Sequence, residues 1–248
     1  MKVLILGHKG MLGHMVHKYL STLEDCELVT TDLRWPCDGF KDFIIDFWNA
    51  QDGNYIINCI GAIHQRTNNF DVNTELPIWL DSNIDYNLSS CRVIHPGTDC
   101  EIDDDDYGNS KRISTEYLVE KGCVTKVIKT SIIGIELNTK SSLLEWFLNL
   151  EEDSVSGYSE CYWNGNTTLQ WAKICYDMMV NWRKYNVLNI PATKCVSKYE
   201  LLKLMGEVYD KDITINKNSD VKINKCLVGD IDVPPLKEQL QEMKGYNS

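Results

Sequence analysis

The sequence predicts an α/β protein: a doubly wound parallel sheet with helices on both faces and a smaller mixed lobe at its C-terminal end. Short apolar runs alternate with segments of helical periodicity through the first half of the chain, which is typical of βαβ units. After about residue 138 helices dominate and the predicted strands become short. We therefore expect one domain over residues 1–138 and a smaller lobe over 139–248 that partly completes the sheet.

The first domain supplies most of the predicted sheet. Its strands are predicted in KVLIL, CELVTTD, NYIINCIGA, CRVIHPGTDC and VTKVIKTSIIG. Its helices are predicted in MLGHMVHKYLSTL, FKDFIIDFWNAQ, the first part of NTELPIWLDSNIDYN, and DDDDYGNSKRISTEYLVEKG. Each helix lies between two strands, so neighbouring strands can run parallel.

The second lobe is predicted to be mixed. Helices are expected in SSLLEWFLNLEE, TTLQWAKICYDMMVNWRKY, VSKYELLKLMGEVYD and PPLKEQLQEMKGY, and short strands in NVLNIP, DITIN and INKCLVG. Thr167 or Thr168 is expected to cap the second of these helices, and Ser197 the third, because a hydroxyl can accept a bond from a free N–H of the first turn.

Composition excludes several classes of protein. The net charge of −11 argues against a surface for nucleic acid or for an anionic membrane, since both need a basic face. The ten cysteines are scattered singly without a C-x-x-C pair, which favours free thiols in a reducing compartment and no metal site. No apolar run is long enough to span a membrane, and the opening strand leaves no visible signal peptide. We expect a cytoplasmic protein.

The motif GHKGMLGH places three glycines, Gly7, Gly10 and Gly13, between the first strand and the first helix. Glycine lets a backbone approach a pyrophosphate closely, and the helix N-terminus presents free N–H groups to it. Asp32 ends the second strand, where a carboxylate can accept from ribose hydroxyls. These features predict a Rossmann-type dinucleotide site; a plain strand–helix turn with a surface aspartate is the alternative.

The preferred dinucleotide is a separate question. Asp32 would repel the 2′-phosphate of NADP, whereas Arg34 could pair with that phosphate. Lys9 could assist the pyrophosphate of either dinucleotide. The pattern leans towards NAD over NADP.

A tyrosine and a lysine, Tyr107 and Lys111, lie one helical turn apart directly after four aspartates. An ammonium near a phenol favours the phenolate and makes the tyrosine a better acid catalyst. Thr98 ends a predicted strand at the sheet edge where ligands of open α/β sheets bind. The aspartates, Asp103 to Asp106, are interpreted as a solvated run with one helix cap; metal binding or contact with sugar hydroxyls is the alternative.

Together these motifs resemble the extended branch of the short-chain dehydrogenase/reductase superfamily, and more narrowly the dTDP-4-dehydrorhamnose reductase family of sugar-nucleotide-binding proteins. The resemblance covers most of the chain and is carried by LILGHKGMLGHMV, INCIGA, VNTELPIWL, HPGTDC, YGNSK, IKTSIIG and NGNTTLQWAK. The stretch from Thr98 to Tyr107 is shorter than the corresponding loop of that family.

The resemblance implies a ketoreductase that takes hydride from a nicotinamide dinucleotide and a proton from Tyr107 to reduce a nucleotide-linked keto-sugar. Lys111 would hold the nicotinamide ribose and lower the tyrosine pKa, and Thr98 would donate to the carbonyl oxygen. The implied cofactor contacts are Gly7, Lys9, Gly10, Met11, Leu12, Gly13, Asp32, Arg34, Cys59, Gly61, Ala62, Tyr107 and Lys111. The implied substrate contacts are His64, Thr98, Asp99, Ser131, Trp163, Asn166 and Thr167.

Two other functions fit the same motifs. An epimerase or dehydratase of this fold would recycle its cofactor and need a further acid or base in the pocket. A non-catalytic dinucleotide-binding regulator is opposed by the joint presence of Thr98, Tyr107 and Lys111. A nucleotide-diphosphate sugar is the expected partner, and a homodimer is the candidate assembly.

Overall fold

A computed structural model describes residues 1–49, 54–84 and 91–247. Two predicted helices end outside these ranges. Ala50 and Gln51 of the helix after the second strand, and residues 85–87 of the segment whose first part is predicted to be the next helix, lie outside the described residues.

The N-terminal elements alternate as predicted. They are β1 (Lys2–Leu6), α1 (Met11–Leu20), β2 (Glu27–Thr30), α2 (Asp38–Asn49), β3 (Tyr55–Asn58), α3 (Asp71–Asn83), β4 (Arg92–Gly97), a 3-10 helix (Asp99–Ile102), α4 (Asp106–Lys121) and β5 (Thr125–Lys129).

The remaining elements form the mixed part of the molecule. They are β6 (Ile132–Ile133), α5 (Leu143–Leu148), β7 (Ser154–Trp163), β8 (Asn166–Thr167), α6 (Thr168–Val180), a 3-10 helix (Trp182–Lys184), β9 (Leu188–Asn189), β10 (Val196–Ser197), α7 (Lys198–Tyr209), β11 (Thr214–Asn224) and α8 (Leu236–Asn247).

The central sheet has six parallel strands in the order β2-β1-β3-β4-β5-β9, which confirms the predicted fold class. Its strands are near-continuous apolar runs because both faces are covered. Leu12 and Val16 of α1 share one core with Trp171 and Cys175 of α6. On the opposite face, α2 and α3 pack Phe40, Ile44, Leu76 and Leu80 against the sheet. The C-terminal region thus supplies β9 and α6 to the central layers.

A smaller sheet with the order β10-β7-β11 and a two-stranded pair of β6 and β8 form the second lobe. The sequence did not predict β7, and it predicted two short strands where β11 is one irregular strand of eleven residues. Much of both strands is exposed, so their apolar residues are sparse. The predicted caps are confirmed: Thr167 caps α6, and Ser197 forms a capping box with Glu200 in α7.

One expectation about the cysteines is wrong. Cys195 and Cys226 form a disulfide with a Cα separation of 5.9 Å, while the other eight cysteines are free. The pair is invisible in sequence because 31 residues separate its members. β10 and β11 flank the same end of β7 and bring the two cysteines together. The reducing compartment stays a prediction.

Membrane-spanning helices and metal-binding clusters are both absent from the described residues. No helix among them is long and apolar enough to cross a bilayer. In the same residues, no three His, Cys, Asp or Glu side chains are placed to hold a metal ion together.

Candidate active site

The glycine loop lies between β1 and α1, at the carboxyl edge of the central sheet. Gly7 has a φ of +74°, a conformation that glycine adopts without strain, and its carbonyl accepts from the N–H of Gly10 at 2.9 Å. A side chain at Gly13 would collide with the Gly7 carbonyl, so this glycine closes the turn. At Gly10 a Cβ would meet only the Gly7 oxygen, at 3.3 Å, which leaves room above the loop. The loop therefore has the form of a cradle that a pyrophosphate fits.

The residues predicted beside the loop lie next to it. Met11 and Leu12 open α1, with Leu12 buried in the core. The Lys9 ammonium lies 2.6 Å from an Asp32 carboxylate oxygen, and this hydrogen bond lowers the pKa of Asp32. Both side chains are largely exposed, and Arg34 is exposed two residues further on. The acidic end of β2 and the loop are thus brought together as predicted.

The ends of β3 and α3 surround the buried Lys111. An ideal Cβ at Gly61 would lie 3.5 Å from the Lys111 Nζ and 3.4 Å from Asn73 Oδ1, so both polar groups lie beside this glycine. Asn73 is fully buried; its Oδ1 accepts from Ala62 N–H at 2.8 Å and its Nδ2 donates to Ala62 O at 3.0 Å. It also donates to Ser110 Oγ at 3.1 Å, which links this backbone to α4.

Burial lowers the pKa of Lys111 to about 8, although the carboxylate of Glu101 and the thiol of Cys59 act in the opposite direction. A cation that is so poorly solvated is stabilised when a ligand offers oxygen acceptors to it. Cys59 and Gly61, predicted cofactor contacts, therefore lie beside Lys111 at the end of β3.

Thr98 and Tyr107 meet at the carboxyl end of β4. Thr98 Oγ1 donates to Asp99 Oδ1 at 3.1 Å and accepts from Cys100 N–H at 3.3 Å. The Thr98 side chain lies beside the Tyr107 hydroxyl. Burial raises the pKa of Tyr107 to about 12, and the nearby Cys100, Asp99 and Glu101 add to the rise. Lys111 is not among the groups that shift the pKa of Tyr107, so the expected lowering by this lysine is not seen.

Two aromatic rings cover Tyr107. The His64 and Phe70 rings have centroids 5.5 and 5.8 Å from the Tyr107 ring and 4.9 Å from each other. His64 Nε2 lies 3.3 Å from Asp105 Oδ2, so the histidine is tied to the start of α4. His64, a predicted substrate contact, is placed against the tyrosine.

The acidic run has three different environments. Asp105 is the cap of α4 and accepts from Gly108 N–H at 2.6 Å, which agrees with the capping interpretation. Asp104 and Asp106 are exposed. Asp103 departs from that interpretation, because its carboxylate pairs with Lys225 of the second lobe at 2.5 Å.

A cavity of about 330 Å³ lies between the end of the central sheet and the second lobe. The predicted contacts Asp99, Ser131 and Trp163 line it. Its other walls include side chains that sequence reasoning missed: Cys100, Tyr158, Tyr162, Lys198 and Lys225. Nothing in the sequence marks these residues, because most lie on β7 or beside β11.

Asn166 and Thr167 do not line this cavity. Both are fully buried, and Asn166 donates to Thr130 Oγ1 at 3.0 Å and to Pro191 O at 2.8 Å. Gln239 of α8 donates to Asn166 Oδ1 and accepts from Thr167 N–H, each at 3.0 Å. Their polar atoms are used within the interior, so the structure gives them a structural role in place of the predicted substrate contact.

The fold and this arrangement define a class: a Rossmann-type α/β protein with a dinucleotide cradle and a Thr98–Tyr107–Lys111 group at the same sheet edge. No protein-family model matches the chain, and no curated protein matches it.

Solved structures do match over the whole length. One is the dTDP-4-dehydrorhamnose reductase of Bacillus anthracis in complex with NADP, with a TM-score of 0.74, 13% identity and coverage of 100% of this chain and 99% of that one. Another is a dTDP-4-dehydrorhamnose reductase of Clostridium acetobutylicum, with a TM-score of 0.67, 17% identity and 99% coverage of both chains.

The UDP-glucose 4-epimerase of Thermotoga maritima, with UDP-glucose, matches with a TM-score of 0.72 and 14% identity over 100% of this chain and 98% of that one. At such identities the likeness establishes the fold. The structural neighbours are the nucleotide-sugar enzymes that the sequence motifs resemble.

Proposed function

We propose that this protein is an NAD(P)H-dependent reductase of a keto group on a nucleotide-linked sugar. The observation that carries the proposal is the placement of the Thr98 side chain beside the Tyr107 hydroxyl at the carboxyl end of β4, one helical turn from the buried Lys111. A proton donor, a second hydroxyl and a cation thus converge where Rossmann-type sheets bind ligands.

A reduced nicotinamide dinucleotide supplies hydride to the carbonyl carbon when bound. The glycine loop would hold its pyrophosphate, and Lys111 would hold ribose hydroxyls. Tyr107 gives its phenolic proton to the carbonyl oxygen, and Thr98 exchanges its Asp99 acceptor for that oxygen. The products are the alcohol and a tyrosinate, which regains a proton from solvent.

The raised pKa of Tyr107 suits this role in one respect. With a pKa of about 12 the phenol is protonated at neutral pH, so the donor is in its working form. An alkoxide is more basic than a phenolate, so transfer to the developing alkoxide is downhill.

The cavity supports a nucleotide-diphosphate sugar as substrate. Lys198 on its wall can pair with a diphosphate, and Tyr158, Tyr162 and Trp163 offer aromatic surface to a base or sugar. The matching reductase of B. anthracis is a complex with NADP. For this chain we propose NAD, because the Asp32 carboxylate lies beside the loop where a 2′-phosphate would be repelled.

The test is single-turnover oxidation of NADH and NADPH with a panel of nucleotide-linked 4-keto sugars, read by nicotinamide absorbance. Tyr107→Phe should lower the rate by about 10²–10⁴-fold while dinucleotide affinity is kept. Tyr117→Phe is the matched control, since Tyr117 lies on the same helix and its hydroxyl bonds to Ser82 at 2.9 Å.

Two results would contradict the proposal. Equal rates for the two phenylalanine variants would remove Tyr107 from the chemistry. Conversion of a nucleotide sugar with no net loss of reduced dinucleotide would identify an epimerase or dehydratase instead.

A further inference from the structure

Glu101 is a buried carboxylate beside the site, and the mechanism proposed above does not use it. It lies in the 3-10 helix after β4, and only 2% of its side chain is exposed. In the sequence, Glu101 is not distinguished from the acidic residues of the aspartate run that follows it. An ionised carboxylate so deeply buried needs bonds and countercharges to offset its desolvation.

The Glu101 carboxylate is bonded to three elements of the fold. Its Oε1 accepts from the backbone N–H of Thr98 at the end of β4 and from Thr115 Oγ1 of α4, both at 3.0 Å. Its Oε2 lies 2.7 Å from the ammonium of Lys129 on β5. One side chain therefore ties two central strands to the helix that carries Tyr107 and Lys111.

The bond to Thr98 fixes the hydroxyl of that residue. Thr98 caps the 3-10 helix with its side chain, and Glu101 returns a bond to the Thr98 backbone, forming a capping box. The chain from Thr98 to Tyr107 is short, and this single turn sets the place of the threonine relative to the tyrosine. The capping box thus fixes the position of the Thr98 hydroxyl relative to the Tyr107 hydroxyl.

The Glu101 carboxylate also acts on Lys111. It accepts a bond from Thr115, which lies one helical turn beyond Lys111 on α4. The groups of the described residues that act on this lysine are Glu101, the Cys59 thiol after β3, and His95 on β4. Burial keeps His95 neutral by lowering its pKa well below the usual value, and burial raises the pKa of Cys59 so that its thiol is neutral too. Glu101 is therefore the negative charge that opposes deprotonation of Lys111.

We propose that Glu101 is a positioning residue that holds the Thr98 hydroxyl in place and keeps the Lys111 ammonium charged for dinucleotide binding and proton transfer. Its effect on turnover rests on the proposed function. Its effect on dinucleotide binding rests only on the proposed cofactor, because that readout needs no sugar substrate.

The test is the pH dependence of the dinucleotide dissociation constant and of the single-turnover rate in Glu101→Gln. Loss of the charge should move the alkaline midpoint of binding to lower pH and slow hydride transfer about tenfold or more. Thr115→Val is the matched control: it removes one bond to the carboxylate but leaves the charge, so it should lower Tm without moving the midpoint.

A Glu101→Gln variant that loses Tm but keeps the wild-type midpoint and rate would overturn the proposal and leave Glu101 a structural ion-pair member. If Glu101→Gln does not fold, the double variant Glu101→Gln with Lys129→Met removes both charges of the pair. Its midpoint should still fall, and an unchanged midpoint would overturn the proposal. A shifted midpoint in a protein that reduces none of the sugars would support Glu101 while refuting the proposed reductase.

Discussion

Replacing Lys111 by methionine should stabilise the protein at neutral pH while weakening dinucleotide binding. Lys111 is buried without a direct carboxylate partner within 4 Å among the described residues, and burial is the largest influence on its pKa. Methionine fills similar space without a charge. We therefore expect Lys111 to lower the free energy of unfolding, although its charge contributes to ligand binding.

The magnitude follows from the pKa. The pKa falls from 10.5 to about 8 on folding. A shift of this size corresponds to about 3 kcal/mol of free energy against the charged form. Lys111→Met should raise the free energy of unfolding by up to that amount at pH 7.

The direction of the pKa shift also determines how the stability of the fold depends on pH. The unfolded chain holds the Lys111 proton more tightly than the folded one, so stability rises with pH between the two pKa values. Below pH of about 8 the whole cost is present, and above 10.5 both states are neutral and it vanishes. The gain from Lys111→Met should therefore shrink as pH rises through this window.

Urea unfolding without dinucleotide, at neutral and at alkaline pH, measures the gain in the free energy of unfolding and its dependence on pH. Lys121→Met is the control, because Lys121 is an exposed lysine at the end of the same helix and should change stability by less than about 0.5 kcal/mol. A destabilised Lys111→Met variant, or a gain independent of pH, would show that the lysine is compensated and that the reasoning is wrong.

Three further outcomes are expected. Asp105→Ala should lower the free energy of unfolding by about 1 kcal/mol through loss of the α4 cap, whereas exposed Asp104→Ala should not; equal urea midpoints would refute the cap. Gly10→Val should abolish dinucleotide binding, measured by calorimetry, in a protein with unchanged circular dichroism; retained affinity would make the loop a structural turn only. Asp32→Ala should narrow a preference for NADH over NADPH, and an NADPH preference in the unmodified protein would point to Arg34.

The central sheet could be predicted because its strands are buried on both faces, as in KVLIL and YIIN, and therefore read as apolar runs. The glycine loop and the Tyr107–Lys111 spacing are local in sequence, so they could be read directly. β7 could not be predicted, because one face of its sheet is largely exposed and SVSGYSECYW has no clear period.

Contacts made across long separations were also hidden. Lys225 reaches Asp103 because the second lobe folds back on the start of α4, and the Cys195–Cys226 bridge forms because β10 and β11 flank the same end of β7. Glu101 was overlooked because its local sequence resembles a solvated acidic stretch, and burial alone distinguishes it. Conversely, Asn166 and Thr167 were assigned to the substrate from a motif whose polar atoms are used inside the protein.

The bonds that Gln239 makes to Asn166 and Thr167 can form only late in the synthesis of the chain. α8 leaves the ribosome after every other described element, yet its glutamine side chain supplies partners for two polar groups beside the start of α6. Until α8 is docked, the buried amide of Asn166 and the N–H of Thr167 lack these partners, at a cost of about 1–3 kcal/mol each. These two buried groups therefore gain their full set of partners only when α8 docks.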